Sequence, residues 1–380
     1  MKTSLAIDFV RDTFKSTDFI PLHAPFFGLN EKKYLAECID STFVSSVGSF
    51  VSEIENELKN KLHCTHAVAV VNGTAALQVA LQLSGVKSGT EVLTQSLTFV
   101  ATANAISYLG AIPVFIDVDL DTMGLSPNSL VHFLEEFGEL RENALYNKSS
   151  GREITACLPM HTFGFSSRIE EIIRICSEWN IPVVEDAAEA LGSMSGYQHL
   201  GTFGSCGIFS FNGNKILTAG GGGALVTNQA DLGIRAKHLT TTAKVPHPYE
   251  FVHDEIGYNY RMPNLNAALL KAQFEQLDWL LSKKRELAMK YNAFFANSEI
   301  ELKWEIPGTK ANFWLNTIQL ESKENRDLFL EETNKNGVMT RPVWQLMFQL
   351  PMYKECQKDK QQNAQFLADR LINLPSSIHQ

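Results

Sequence analysis

From residue 67 to residue 227 the chain alternates short apolar runs with helix-like stretches, and few folds accept that pattern. AVAVV (67–71), EVLT (91–94), IPVFI (112–116), ITACLPM (154–160), PVVE (182–185), GIFS (207–210) and ALVT (224–227) read as seven buried strands. Helical patterns separate most of them: TAALQVALQLSG with its closing Gly85, FVATANAISYLG, SPNSLVHFLEEF with Ser126 as N-cap, and SRIEEIIRICSE. Strands that are apolar on both faces need cover on both faces. The alternation therefore predicts an α/β fold with a mostly parallel seven-stranded sheet between helical layers. Ligands of such sheets lie at the carboxyl edge, where strands end and helices begin.

At roughly 150 residues per domain, 380 residues predict two. The texture changes after about residue 245. A long helical pattern runs from Pro263 to about Ala296, followed by a strand, NFWLNTIQL (312–320), and a helix, ESKENRDLFLEETNKNG, whose charges read as a solvated face. The expected division is a large domain over 1–245, including the N-terminal segment, and a smaller α+β domain over 246–380.

Several classes are disfavoured. Against 33 Lys and Arg stand 42 Asp and Glu, a net charge of −9 that argues against nucleic-acid binding. No apolar run approaches the roughly 18 residues a membrane span needs. With 24 Phe, 9 Tyr and 5 Trp, the chain can fill a core that a disordered protein lacks. The opening MKTSLAIDFV is basic and then apolar, but Asp8, Arg11 and Asp12 interrupt it before a signal-peptide core forms. The six cysteines make no C-x-x-C pair and show neither zinc-site nor disulfide spacing, so no metal is expected. These features read as a cytoplasmic enzyme.

Four motifs fall at strand ends. NGTAAL (72–77) links a strand to a helix through small residues. Free backbone N–H groups at that helix start would cradle a phosphate; the plain alternative is a turn capped by Thr74. VVEDAAEALG (183–192) delivers Glu185 and Asp186 to a strand end, and a buried carboxylate there needs a cationic or N–H partner; alternatively Asp186 caps a helix. GIFSFNGNKILTAGGGG (207–223) displays Lys215 beside four glycines that let backbone approach a flat ligand. Lysines usually face solvent, but one desolvated among small residues suits Schiff-base chemistry. In SLTFVATANAI (96–106), Phe99 follows a strand directly, as a core ring or as a plate for a flat ligand. An anion cradle, an aromatic plate, a buried carboxylate and a lysine together fit pyridoxal 5'-phosphate, whose ring acts as an electron sink.

The order NGTAAL, SLTFVATANAI, PVFIDVD, EDAAEA, SFNGNK, GGGG and GYNYRM resembles the DegT-type sugar aminotransferases, pyridoxal-phosphate enzymes of fold type I. The likeness covers nearly the whole chain, from FIPLHAPF to NLPSS. It implies an aspartate-aminotransferase-like fold. FIPLHAPF, IDSTFVSSVG and TRPVWQLMFQLPMY resemble the branch acting on nucleotide-linked 4-keto-6-deoxy-N-acetylhexosamines in legionaminic acid or bacillosamine pathways. The resemblance implies L-glutamate as amino donor and a nucleotide sugar, UDP-linked, as acceptor, with GDP-4-keto-6-deoxymannose (perosamine synthesis) as the alternative.

By position, Lys215 is then the Schiff-base lysine and acid–base group, Asp186 the partner of the pyridinium nitrogen, and Phe99 the stacking ring. Glu189 falls near the cofactor's phenolic oxygen. Thr74 and Ala75 give N–H groups, and Ser210 its hydroxyl, to the phosphate. Asn259 would reach the phosphate of a neighbouring subunit, implying a homodimer with shared active sites. His23, Ser45, Ser46, His161, Arg341 and Trp344 fall on the substrate side. Two departures stand out. Asn212 replaces the histidine many relatives carry before the lysine turn, and Gly164-Phe165-Ser166 replaces a common glycine–histidine–proline. Related dehydratases carry histidine in place of the lysine, and a non-catalytic paralogue would be expected to lose Lys215 or Asp186. Both residues are present.

Overall fold

A computed structural model describes residues 2–378. Three helices, α1 (Thr3–Phe14), α2 (Glu31–Asp40) and α3 (Ser49–Leu62), precede the alternating region. Then come β1 (His66–Val70), α4 (Gly73–Leu83), β2 (Glu91–Gln95), α5 (Val100–Tyr108), β3 (Ile112–Ile116), α6 (Pro127–Phe137), β4 (Glu153–Leu158), α7 (Ile169–Glu178), β5 (Val184–Asp186), β6 (Cys206–Ser210), β7 (Gly223–Thr227) and α8 (Ala230–Thr240). All seven expected strands form, most within a residue of their expected bounds. They make two ladders, β1-β7-β6-β5 and β3-β2-β4, joined by the parallel bridges Cys157–Val183 and Met160–Asp186. The spatial order is thus β1-β7-β6-β5-β4-β2-β3, parallel throughout except for β7. A parallel return needs a helical crossover, and the segment between β6 and β7 holds only a turn, so β7 runs back antiparallel.

The period-2 alternation of each strand divides the core. Val68, Val70, Val92, Val184, Ile208 and Leu225 pack with α4, α5 and α8 on one face. Ala67, Ala69, Leu93, Val114, Cys157 and Val226 pack with α3, α6 and α7 on the other.

Outside this sheet the structure departs from expectation in three places. A hairpin, Gly138–Arg141 with Ala144–Asn147, extends the second ladder beyond β4. The helical pattern after Pro263 is two helices, α9 (Asn264–Phe274) and α10 (Leu277–Phe295). They part where Gln273 and Gln276 both turn their amides onto Glu31 Oε1 at 2.8 Å, a tertiary contact with no Pro or Gly to announce it. Of NFWLNTIQL only Asn316–Gln319 is strand, because Phe313 takes φ +49° and bends the chain. That strand, β9, lies in an antiparallel sheet with β8 (Glu301–Leu302), β10 (Arg341–Pro342) and β11 (Leu371–Leu374), in the order β8-β9-β11-β10. Helix α11 (Lys323–Lys335) packs beside it.

Packing also crosses residue 245. Helix α1 buries Ala6, Ile7 and Val10 against Leu287, Tyr291, Phe295 and Ile318 of the C-terminal unit. Helix α9 packs on α2 and α3 of the N-terminal part.

Candidate active site

The carboxyl ends of β1, β2, β5 and β6 open on one edge of the sheet. At β5 the strand alternation sends two adjacent acids to opposite sides. Asp186 is 2% exposed. Its Oδ2 accepts from the Thr102 hydroxyl at 2.7 Å and its Oδ1 from the Ala188 N–H at 3.2 Å. Burial pushes its pKa up, opposed by those two donors and by the charge of Lys215. Among the described residues no cation lies within ion-pair distance of it.

Glu185 points the other way, into the core. It accepts from the backbone N–H groups of Gly201, Phe203 and Gly204 at 2.6–2.8 Å and bonds His161 Nε2 at 3.0 Å. His161 Nδ1 accepts from the Ser167 N–H at 3.3 Å, which leaves Nε2 as the donor to Glu185. Both ring nitrogens of His161 are therefore committed inside a fully buried lock.

Lys215 stands on the β6–β7 turn, its side chain 13% exposed. Its Nζ lies 3.1 Å from Glu189 Oε1 and 4.1 Å from the centroid of the Trp314 ring. Glu189 Oε2 accepts from the Phe163 N–H at 2.9 Å. Burial, opposed first by the Lys215 charge, pushes the Glu189 carboxyl up to about 7. Phe163 presents that N–H from φ +56°, followed by Gly164 at φ +91°. Any side chain at Gly164 would collide with Asn312, which donates to the Glu189 and Leu191 carbonyls. The Phe163 N–H, Lys215 and Asn312 together hold Glu189 in place.

At the end of β1, Asn72 rather than Thr74 caps α4, its Oδ1 accepting from the Ala75 N–H at 2.8 Å. Such a cap contributes about 1 kcal/mol. The Ala75 N–H is thus bonded within the cap, while the Gly73 and Thr74 N–H groups have no partner among the described residues. Ser210 lies against Gly73, at 3.1 Å from where a Cβ would stand. A Cβ at Gly223 would strike the Asn72–Gly73 backbone, so only glycine lets β7 pass behind the cradle.

Phe99, the N-cap residue of α5, is 49% exposed after the buried segment that follows β2. It begins an arc of rings: Phe99 to Trp344 at 6.3 Å, Trp344 to Phe163 at 4.9 Å, Phe163 to Trp314 at 6.4 Å, and Trp314 to His23 at 6.4 Å. Both ring nitrogens of His23 are buried without a partner. Burial and the neighbouring Lys284 and Lys215 charges hold the ring well below its usual pKa.

Pyridoxal phosphate fits these residues. The buried Asp186 carboxylate lacks a cation, an open aromatic face stands at the same edge, and two free N–H groups meet a serine hydroxyl. Other expected site residues stand apart. Ser45 is exposed and Ser46 half-buried on the loop between α2 and α3, with the Ser45 carbonyl accepting from the Asn264 N–H at 2.7 Å. Arg341 bonds Asn334 and the Thr340 carbonyl. Asn259 is exposed and accepts from Arg261. Thr102, Phe163 and Trp314 were not legible. Thr102 sits one helical turn past Phe99, a spacing that would have pointed to it; the other two are brought in by the tertiary fold alone.

The model of the DegT/DnrJ/EryC1/StrS aminotransferase family matches residues 27–379. The chain belongs to this family. It is 36% identical over 358 residues to the GDP-perosamine synthase of Escherichia coli O157:H7, covering 94% of this chain and 93% of that protein. It is also 36% identical to the putative pyridoxal phosphate-dependent aminotransferase EpsN of Bacillus subtilis (strain 168), over 88% of this chain and 84% of the relative. Among solved structures, a DegT DnrJ EryC1 StrS aminotransferase from Brucella abortus superposes with a TM-score of 0.83 at 25% identity, covering 91% of this chain and 90% of that one. The DegT-family chain is accordingly a pyridoxal-phosphate-dependent sugar aminotransferase of fold type I.

Proposed function

We propose that this enzyme moves the amino group of L-glutamate to the 4-keto carbon of a UDP-linked 4-keto-6-deoxy-N-acetylhexosamine, giving a 4-amino sugar for surface glycans. The observation that carries the reaction is the buried cluster of Lys215, Glu189 and Asp186 at one sheet edge. When bound, pyridoxal phosphate supplies an aldehyde that links reversibly to amines and a ring that draws electrons from the bonded carbon. Lys215 Nζ is the linking amine and, once free, takes the proton that leaves the amine-bearing carbon and holds it for return. Asp186 retains a lone pair on each oxygen beyond those used by Thr102 and Ala188, and with them keeps a proton on the ring nitrogen. Glu189 steadies Lys215 Nζ. Phe99 gives the stacking face. Gly73, Thr74 and Ser210 receive the phosphate.

FIPLHAPF, IDSTFVSSVG and TRPVWQLMFQLPMY support the UDP-linked N-acetylhexosamine. The similarity to the Escherichia coli GDP-perosamine synthase favours a second reading, GDP-4-keto-6-deoxymannose. Incubation with glutamate and UDP-, GDP- and dTDP-linked 4-keto-6-deoxy sugars separates them by product mass. An aminated UDP-N-acetylhexosamine is expected. Amination of the GDP sugar alone overturns the acceptor, and amination of none overturns the reaction.

The assembly is proposed as a homodimer with shared sites, Asn259 completing the partner's phosphate cradle. Support comes from large apolar side chains left exposed on two segments that flank α9: Phe27, Leu29, Ile39, Phe43 and Val47 on one, Tyr249, Phe251 and Ile256 on the other.

A further inference from the structure

Trp314 is pinned on three sides. Its Nε1–H donates to the carbonyl of Asn214, the residue before the lysine, at 2.7 Å. Its own N–H donates to Asn312 Oδ1 at 2.8 Å, and Asn312 in turn donates to the Glu189 carbonyl at 2.8 Å. Its carbonyl accepts at 2.8 Å from Lys284 Nζ, an amine on α10 that is wholly buried and also donates to the Ser376 carbonyl. The indole, the lysine turn and the Glu189 loop therefore form one hydrogen-bonded unit, with the Lys215 ammonium held between a carboxylate and an aromatic face.

We propose that Trp314 is a positioning residue for the amino transfer: its indole seats the Lys215 amine whenever that amine is free and holds it beside Glu189. This rests on the reading of Lys215 as the proton-carrying lysine. A free lysine side chain has four rotatable bonds. An amine that must take a proton and give it back loses rate in proportion to the time it spends elsewhere. An aromatic face narrows that freedom without adding a second base that would compete for the proton.

The test uses Trp314→Leu, which removes the face, and Trp314→Phe, which keeps a smaller face and deletes the Nε1 bond. In cofactor-free protein, the rate at which an amine-reactive reagent labels Lys215, read by peptide mass, is expected to rise several-fold in Trp314→Leu and less in Trp314→Phe. In the holoenzyme, kcat falls about tenfold in Trp314→Leu, the loss expected of a partly desolvated cation–π contact. The isotope effect with glutamate deuterated at its amine-bearing carbon rises, while KM for glutamate and the bound-cofactor spectrum stay as in the wild type. Wild-type labelling and a wild-type isotope effect in folded Trp314→Leu overturn the seat. Should that variant fail to fold, Trp314→Phe decides alone, and wild-type values there overturn it. Lys215→Ala run in parallel keeps the two claims apart: an active Lys215→Ala enzyme sinks the reading of Lys215 itself, while an inactive one beside an unaltered Trp314→Leu sinks the seat only.

Discussion

The Glu189 carboxyl is held at about 7 against an ordinary 4.5. In the folded, cofactor-free protein it keeps its proton to higher pH than in the unfolded chain. Its contribution to stability is therefore complete below about 4.5 and lost as pH rises through about 7. The stability difference between wild type and Glu189→Gln, from urea unfolding of cofactor-free protein, is expected to fall by about 3 kcal/mol across that window. A difference that stays flat with pH contradicts the shifted carboxyl. At this scale much was legible: Lys215, Asp186, Glu189 and Phe99 all fall at strand ends, where sequence pattern and chemistry coincide. Trp314 and the orphaned nitrogens of His23 were not. Their roles depend on which distant segments the fold brings to them, and a lone Trp or His in a run of sequence carries no such information.

At the scale of elements, β5 is three residues long, and its last two residues have unlike duties. Asp186 faces the site, while Glu185 ties down the 201–204 loop and His161. Glu185→Ala leaves one buried and two half-buried backbone donors, and the buried His161 ring, unpaired at roughly 1–3 kcal/mol each. Urea unfolding should show a loss of at least about 3 kcal/mol, and a loss under 1 kcal/mol would contradict the lock. The seven strands were readable because strands buried on both faces are apolar almost throughout. The antiparallel sense of β7 was implicit in the missing crossover helix. The break between α9 and α10 was not, because side-chain bonds to Glu31 make it rather than a helix-breaking residue. Of the two acids of the VVED strand, only Asp186 had a role legible in the sequence; the lock that Glu185 makes with His161 and the 201–204 loop depends on the direction it takes from the pleat.

At the scale of the whole molecule, shared sites predict that two defective variants rescue each other. Mixed and re-equilibrated Lys215→Ala and Asn259→Asp chains should regain activity, since a hybrid dimer holds one site with both native residues. The wild type should sediment at about twice the 42.4 kDa chain mass, and Phe251→Glu with Ile256→Glu should shift it toward the monomer. Activity absent from the mixture, or a wild-type monomer, contradicts the shared-site dimer. The packing of α1 on the C-terminal sheet also ties the two ends of the chain together, which the change of texture near residue 245 did not reveal. Pattern marks where elements change character, not which distant element covers them. The central claim, that Lys215 at the sheet edge carries the amino transfer, is tested most directly by one half-reaction. Cofactor-loaded wild type and Lys215→Ala are each given L-glutamate alone, and the cofactor absorbance is followed with 2-oxoglutarate release. The wild type should change spectrum and release one 2-oxoglutarate per site, about one equivalent as a two-step exchange requires, and Lys215→Ala should release none. Equal release from both proteins would contradict the account.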